Sequence, residues 1–452
     1  MSFDIEWAAP LRGSNGGARP AHSDIRCSFM SSRPIMRQVV ELFLGTGPPR
    51  PSFAGPCHPI VEDRHNSARR CTLSDSVVTA PRKIPVCSPV LDGKERQYVM
   101  ECMDGNWISS MGDFILRFES AFAKRCGVPR AVSCSSGTAA LHLALEVLGI
   151  GAGDEVIMPA FTLIVSANMV CLAGAKPVLA DVRPDTWCID PDDLARKITP
   201  KTKAIMIVHM YGHPCDMVSI MATARKHKLF VIEDAAQAHG ATYGGRSVGS
   251  FGDFGCFSFY ANKTLTTGEG GMLVTKDERL ARRAALLRNQ AFGPERFVHH
   301  DVGFNYRLTN MQAAIGLGQC ERFDKKVERK REIAAIYDEL IGDEPSIQKP
   351  VELHGCKNVY WMYGVVLRDK FGRSKKEVRE RLEKCGVETR SFFIPLNQQP
   401  VYQGTNPRWP DLRGKFPVSE DLAARGFYLP SGLDLTREDQ EYVVEQLLAC
   451  KR

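Results

Sequence analysis

Lys263 stands between an apolar strand predicted over 254–259 and the glycine-rich turn Gly268-Glu269-Gly270-Gly271, and Asp234 closes another apolar strand upstream. A lysine amine can form a Schiff base with an aldehyde, and a buried carboxylate can keep a pyridine nitrogen protonated. A pyridoxal phosphate site needs both groups. A lysine at a strand end is by itself typical of a solvated position, so the hypothesis depends on the pair.

Asp234 follows the apolar run at 229–232, at the carboxyl end of a predicted strand. Ligands of parallel sheets lie beyond the carboxyl ends of the strands. A buried aspartate there needs a cation or hydrogen-bond donors, which a protonated pyridine nitrogen or a structural arginine would equally supply. Gln237, three residues further on, could donate to a phenolic oxygen.

The turn Ser135-Ser136-Gly137-Thr138 lies between a short strand and a strongly apolar helix. Free N–H groups and the positive end of the helix dipole favour an anion at such a turn, and Gly137 permits close approach. A serine or threonine that caps the helix without a ligand explains the same residues. Ser258, five residues before Lys263, could donate to a phosphate.

Two further segments offer polar groups. His209 follows the strand predicted over 204–208, where a core histidine and a ligand contact are both compatible with the pattern. Asn305, Tyr306 and Arg307 precede an amphipathic helix that begins near Met311, and by composition they form a helix entry.

Strands and helices alternate in the part of the chain that must position these residues. We predict strands at 131–132, 155–158, 177–181, 204–208 and 229–232, and helices at 138–148, 164–172 and 217–227. Near-continuous apolar strands separated by helices predict an α/β fold with a mostly parallel sheet. After a charged helix at 321–341, a strand at 359–367 and helices at 375–385 and 437–450 predict a smaller α+β domain. The expected division is a disordered extension over 1–84, a large domain over 85–320 and a small domain over 321–452.

Composition excludes several functional classes. The chain has 452 residues with a formal charge of +7, and no basic block interleaved with aromatics indicates nucleic-acid binding. Its 15 cysteines are scattered singly, which argues against a zinc or iron–sulfur site and favours reduced thiols in the cytoplasm. The uncharged stretch at 156–175 contains Pro159 and polar residues, so we predict a strand, a turn and a buried helix rather than a membrane span.

Eight segments in this order and spacing resemble the DegT-type sugar aminotransferases, a branch of the fold-type-I pyridoxal phosphate enzymes. The resemblance covers residue 85 to the end of the chain. In chain order, the segments contain Asn106-Trp107-Ile108-Ser109-Ser110, Ser136-Gly137-Thr138, Gly153-Asp154-Glu155, His209-Met210-Tyr211-Gly212, Glu233-Asp234-Ala235-Ala236-Gln237, Gly249-Ser250-Phe251-Gly252, Ser258 to Lys263, and Gly303-Phe304-Asn305-Tyr306-Arg307.

The resemblance implies roles for these residues. Lys263 would hold the pyridoxal phosphate and then move protons, Asp234 would pair with the pyridinium nitrogen, and Gln237 would contact the phenolic oxygen. The phosphate would lie on Gly137, Thr138 and Ser258. Asn305 would reach the cofactor of a neighbouring subunit, which implies a homodimer with shared active sites. The candidate substrate contacts are Asn106, Trp107, His209, Tyr306 and Arg307.

The implied activity is transfer of an amino group from L-glutamate to a nucleotide-linked 4-keto-6-deoxy sugar. Sugar dehydration is a rival, although relatives that catalyse it carry histidine where this chain has Lys263. A catalytically silent homologue that binds cofactor or nucleotide sugar is a second. The family commonly has an aromatic ring where this chain has Leu163, and often histidine where it has Asn397.

Overall fold

The computed structural model describes residues 82–295 and 297–452. The extension predicted over 1–84 therefore lies, apart from its last three residues, outside the described residues. The α-helices are α1 Glu95–Asp104, α2 Asp113–Cys126, α3 Gly137–Val147, α4 Val165–Leu172, α5 Pro191–Arg196, α6 Met217–His227, α7 Glu278–Arg288, α8 Asn310–Glu321, α9 Phe323–Ile341, α10 Lys375–Lys384, α11 Pro417–Arg425 and α12 Arg437–Leu448. The strands are β1 Arg130–Cys134, β2 Glu155–Pro159, β3 Lys176–Ala180, β4 Thr202–Val208, β5 Phe230–Asp234, β6 Thr242–Tyr243, β7 Arg246–Ser247, β8 Phe254–Ser258, β9 Gly271–Thr275, β10 Ile347–Gln348, β11 Cys356–Lys357, β12 Tyr363–Leu367, β13 Arg390–Ser391 and β14 Gly426–Leu429.

Seven strands form the large sheet, in the order β1-β9-β8-β5-β4-β2-β3. Strands β3, β2, β4, β5 and β8 pair in parallel, whereas β9 runs antiparallel to both β8 and β1. The predicted α/β class with a mostly parallel sheet is confirmed. Because parallel strands end at the same edge, the ends of β5 and β8 bring Asp234 and Ser258 to one side of the molecule.

Alternate residues of the large sheet pack on opposite faces, as the pleat of a strand requires. On β4, Met206 packs with the buried residues of α3 and α4, whereas Ile205 and Ile207 pack with those of α6. Helices α2 and α8 cover the side of β8 and β9 that carries Phe257 and Met272. Both faces of the sheet are therefore buried, which explains the apolar runs of its strands.

A second sheet, β10-β12-β14-β13, is entirely antiparallel. Buried side chains of α9, α10 and α12 pack against it, among them Tyr337, Leu382 and Val443. This α+β arrangement agrees with the region predicted after the charged helix, while the division of the chain at residue 321 stays a prediction.

Two predicted elements differ from the structure. The strand expected over 359–367 begins only at Tyr363, because the N–H groups of Val359 and Trp361 donate to the carbonyls of Gly212 and Tyr211 instead of to a neighbouring strand. The helix expected over 321–341 is interrupted at Arg322, where α8 ends and α9 begins.

The uncharged stretch at 156–175 forms β2, a turn and α4, as predicted. In the part of the chain that the structure describes, no helix is long and apolar enough to cross a membrane. The cytoplasmic location expected from the cysteine content stays a prediction.

Candidate active site

Lys263 lies in the turn that joins β8 to β9. The turn is closed by the Lys263 N–H, which donates to the Tyr260 carbonyl at 2.9 Å, and by the Thr267 N–H, which donates to the Phe259 carbonyl at 2.9 Å. The side chain is partly buried, and its Nζ lies 3.6 Å from the centroid of the Trp361 ring. Across residues 82–295 and 297–452, this amine makes no hydrogen bond or ion pair with a side chain or carbonyl.

Asp234 is buried at the carboxyl end of β5. Its Oδ2 accepts a hydrogen bond from the Ser166 hydroxyl at 3.1 Å, and its Oδ1 accepts one from the Ala236 N–H at 3.1 Å. Burial raises the pKa of this carboxyl, while the Ala236 N–H and the charge of Lys263 oppose the rise. A cation within reach would strengthen the ionised form.

The environment of Lys263 makes its amine a usable base. Burial lowers the pKa of Lys263 to about 7, against the opposing charges of Asp234 and Cys87. A lysine with its ordinary pKa would be almost fully protonated at neutral pH, whereas this amine can both accept and release a proton there.

Gln237 is also buried close to the end of β5. Its Oε1 accepts a hydrogen bond from the Tyr211 N–H at 2.8 Å. This contact fixes the orientation of the amide, whose NH₂ group makes no hydrogen bond within the described part of the chain. Gln237 can therefore donate to an oxygen of a ligand, and its predicted contact with a phenolic oxygen stays a prediction.

The amino end of α3 forms an anion cradle next to β8. Ser136 caps the helix by accepting from the Ala139 N–H at 3.0 Å, and the N–H groups of Gly137 and Thr138 belong to the first turn, which has no acceptor for them within the helix. A Cβ added at Gly137 would lie 2.7 Å from the Cβ of Ser258, so the close approach of helix and strand requires glycine. These N–H groups and the Ser258 hydroxyl suit a phosphate.

The donor set fits pyridoxal phosphate. The Asp234 carboxylate is buried and forms no ion pair with a side chain of the described residues, which suits a protonated ring nitrogen. A free amide NH₂ suits the phenolic oxygen, the cradle suits the phosphate, and an amine with a pKa of about 7 suits the aldehyde.

The segment after α7 contacts the cradle through its backbone. The Ser135 N–H donates to the Tyr306 carbonyl at 2.8 Å, while the Tyr306 hydroxyl lies 3.0 Å from His142 Nδ1 on α3. Arg307 donates to Asn289 Oδ1 at 2.8 Å, and Asn305 is exposed. Because Tyr306 and Arg307 already bond within the chain, their assignment to substrate stays a prediction, as does that of Asn305 to a neighbouring cofactor.

Asn106 and Trp107 follow α1, where the Trp107 carbonyl accepts a hydrogen bond from Asn310 Nδ2 at 2.8 Å. Both side chains are exposed, and Asn106 has a φ of +58°. No recorded contact within the described residues joins them to Lys263. Their role in substrate binding also stays a prediction.

The structure argues against the predicted substrate contact of His209. This side chain is fully buried, its Nε2 lies 3.1 Å from Glu233 Oε2, and its Nδ1 accepts the Cys215 N–H at 3.0 Å. Both ring nitrogens are thus engaged in the core. His209 acts as a structural partner of the buried Glu233, the other reading that the sequence allowed.

Three residues near the site were not predicted from the sequence. Ser166 lies on α4 and bonds Asp234, Tyr211 bonds Gln237, and Trp361 covers the Lys263 amine. Tyr211 has a φ of +49°, an unusual backbone conformation for a residue other than glycine. The sequence signals were the hydroxyl of Ser166 within an apolar stretch and the place of Tyr211 in one of the segments that resemble the family. The contact of Trp361 depends on how distant segments pack.

The two positions that depart from the family pattern have different environments. Leu163 follows β2, and its side chain is 44% exposed. Asn397 is buried, and its Nδ2 donates to the Gly414 carbonyl at 3.1 Å and to Glu420 Oε1 at 2.9 Å.

Comparison with known proteins identifies the family. Residues 89–448 match the model of the DegT/DnrJ/EryC1/StrS aminotransferase family. The GDP-perosamine synthase of Caulobacter vibrioides is 47% identical over 81% of this chain and 97% of its own length, and that of Escherichia coli O157:H7 is 46% identical over 80% and 97%. The solved PLP form of the putative sugar aminotransferase Spr1654 from Streptococcus pneumoniae has a TM-score of 0.76, with 26% identity over 82% of this chain and 98% of that chain.

These similarities extend over the described fold and include the segments that form the cradle, the strand ends and the Lys263 turn. The predicted fold, that of the pyridoxal phosphate aminotransferases, is confirmed, and so is the cofactor. The chain is a pyridoxal phosphate-dependent aminotransferase and belongs to the DegT/DnrJ/EryC1/StrS aminotransferase family.

Proposed function

We propose that the chain transfers an amino group from L-glutamate to carbon 4 of a GDP-linked 4-keto-6-deoxy sugar. The observation that carries the chemistry is the Lys263 amine, whose pKa burial lowers to about 7. The buried Asp234 carboxylate is close enough for the charges of the two groups to attract each other. The substrate class is supported by the relatives named GDP-perosamine synthase, which are 42–47% identical to this chain.

When bound, pyridoxal phosphate supplies an electron-poor ring through which an amino group can pass from a donor to a ketone. Lys263 takes a proton from the α-carbon of the amino acid and later delivers one to carbon 4 of the sugar. Asp234 keeps the ring nitrogen protonated, and Gln237 donates to the phenolic oxygen. Gly137, Thr138 and Ser258 hold the phosphate, so that the reacting carbon stays within reach of Lys263.

The test is product analysis with purified full-length protein, pyridoxal phosphate and L-glutamate. GDP-, UDP- and dTDP-linked 4-keto-6-deoxy sugars are offered in parallel, with GDP-mannose as the control that has no ketone. Without a ketosugar, glutamate should release at most one equivalent of 2-oxoglutarate per active site. We expect continued release only with a ketosugar, fastest with the GDP-linked one, and NMR should place the new C–N bond at carbon 4. Faster transfer to a UDP- or dTDP-linked sugar would refute the proposed nucleotide. Normal cofactor binding without any transfer would favour a silent homologue.

We also infer a homodimer in which Asn305 reaches the partner's cofactor. Exposed apolar side chains cluster on α1, on α2 and on the turn between them, and a concentration of such residues marks a surface that packs against another protein. They are Met100, Met103, Trp107, Ile108, Met111 and Leu116. A second copy of this chain is the proposed occupant, because Asn305 is exposed and the family resemblance assigns it to the cofactor of a neighbouring subunit.

Charge placed in this patch should break the dimer. Met111 and Leu116 are 68% and 67% exposed, so a Met111→Glu, Leu116→Glu double variant should fold normally as a single chain. Association would bury two unpaired carboxylates from each subunit, a cost of several kcal/mol. We expect light scattering to give half the mass of the unmodified protein and pyridoxal phosphate to bind more weakly. Val218→Glu, at a 66% exposed position on α6, is the control and should leave the mass unchanged. An unchanged mass in the double variant would contradict this interface.

A further inference from the structure

Trp361 lies against Lys263 although almost 100 positions separate the two residues in the chain. It belongs to the segment that joins β11 to β12, and its side chain is buried. The face of its indole ring lies 3.6 Å from the Lys263 Nζ, a distance at which a ring attracts an ammonium group. A partly buried cation without a hydrogen-bond acceptor gains most from such a contact.

Several contacts hold the Trp361 ring in place. Its Nε1 donates to the carbonyl of Asn262, the residue before the lysine, at 2.8 Å. Its backbone N–H donates to the Tyr211 carbonyl at 2.9 Å, and its own carbonyl accepts from Lys330 Nζ on α9 at 2.9 Å. The Tyr211 ring stacks on it, with centroids 6.2 Å apart and an interplanar angle of 22°. The indole is thus fixed both to the Lys263 turn and to α9.

The charged and titratable groups around Lys263 come from three other segments. Asp234 at the end of β5 and Cys87 before α1 attract its charge. His239, after β5, has its pKa lowered to about 3, mainly by burial and further by the charge of Lys263, so this ring is neutral at physiological pH. Asp234 is also the expected partner of the cofactor, whereas the Trp361 ring is in direct contact with the amine.

We propose that Trp361 is a positioning residue for amino transfer, which holds the Lys263 amine on its indole face whenever that amine is not joined to the cofactor. The inference rests on the proposed role of Lys263 and not on the identity of the sugar. In this position the amine stays near the end of β5 instead of turning out to solvent. The attraction favours the protonated form and so limits the fall in pKa that burial causes.

The test lowers the electron density on the face of the Trp361 indole while it keeps the shape of the ring. Tryptophan analogues with one to four fluorine atoms are placed at position 361 of the full-length chain, where they keep the N–H bond to Asn262. The pKa of Lys263 is measured in cofactor-free protein from the pH dependence of its acetylation, followed by peptide mass spectrometry. We expect this pKa to fall stepwise with fluorination, by about 0.5–1 unit in total.

Two controls make the result specific. The same analogues at Trp409, whose ring lies 4.7 Å from the Arg408 guanidinium, should leave the pKa of Lys263 unchanged. Trp361→Phe keeps an aromatic face but loses the N–H bond to Asn262, and should lower this pKa by less than the fully fluorinated ring does. A constant pKa across the series at position 361 would overturn the proposal. That outcome would leave the sugar specificity untouched, and failure of the ketosugar assay would not alter the titration.

Discussion

Replacement of Lys263 by alanine should lower the rate of amino transfer by about 10²–10⁴-fold or more. This is the contribution to the rate expected of a positioned proton-transfer group. Lys330, whose charge also acts on Cys87 near this site, should not take over, because its Nζ binds the carbonyls of Trp361 and Ser431. The variant should still bind pyridoxal phosphate through the α3 cradle, but without a covalent link. Borohydride treatment followed by mass spectrometry measures the link, and 2-oxoglutarate release measures the rate.

Lys276→Ala is the matched control. Lys276 lies immediately after β9 with its side chain largely exposed. Partial desolvation and the nearby charge of Arg246 lower the pKa of its amine, so its pKa shifts in the same direction as that of Lys263 although it lies outside the site. Its replacement should preserve both the covalent link and the rate. A covalent link that persisted in Lys263→Ala, or an equal loss in both variants, would contradict the assignment of Lys263.

The titration of Lys263 predicts how the reaction rate of the unmodified enzyme falls at low pH. The folded-state pKa of about 7 lies below the ordinary value of lysine, so the neutral amine that accepts a proton prevails above about pH 7 and is lost as the pH falls. The rate of any step that needs this base should therefore drop about tenfold per pH unit below about pH 7.

The positions of Asp234 and Gln237 could be predicted because they depend on short-range patterns. An apolar run that ends in a carboxylate, within a series of alternating strands and helices, places that carboxylate at the ligand-binding edge of a parallel sheet. The same reasoning misled for His209, which also follows a strand. Its side-chain partner is Glu233 on the adjacent strand β5. The Glu233 carboxylate accepts the N–H groups of Gly249, Phe251 and Gly252 and lies within hydrogen-bond distance of the imidazole inside the core. The position of a residue at the end of a strand does not show whether its side chain bonds to another buried side chain.

Trp361 shows why the rest of the site could not be predicted. Its segment has the apolar composition of a strand, and the sequence accordingly favours a strand that starts at residue 359. In the structure the N–H groups of Val359 and Trp361 bond to the turn after β4, and the strand begins only at Tyr363. These bonds join segments about 150 residues apart, and they, not local preference, direct the indole toward Lys263.

Replacement of Asp234 by asparagine should lower the transfer rate by about 10²–10⁴-fold while the cofactor stays covalently attached to Lys263. Removal of one partner from a buried charge pair costs about 3–5 kcal/mol, which corresponds to that loss if the cost falls on the transition state. Asparagine keeps the shape of the side chain, and its carbonyl oxygen can still accept the Ala236 N–H, so the end of β5 should remain folded. What it lacks is the negative charge that keeps the ring nitrogen protonated.

Asp253→Asn separates this electrostatic role from a structural one. Asp253 is also a partly buried carboxylate with a raised pKa, and its Oδ2 accepts the Val231 N–H at 2.8 Å, but it lies at the amino ends of β5 and β8, at the opposite edge of the sheet. We expect Asp253→Asn to affect thermal stability more than rate, and Asp234→Asn to affect rate more than stability. Steady-state kinetics and thermal unfolding of the two variants, measured side by side, distinguish the two roles. An unchanged rate in Asp234→Asn would mean that the carboxylate only accepts hydrogen bonds from the Ser166 hydroxyl and the Ala236 N–H.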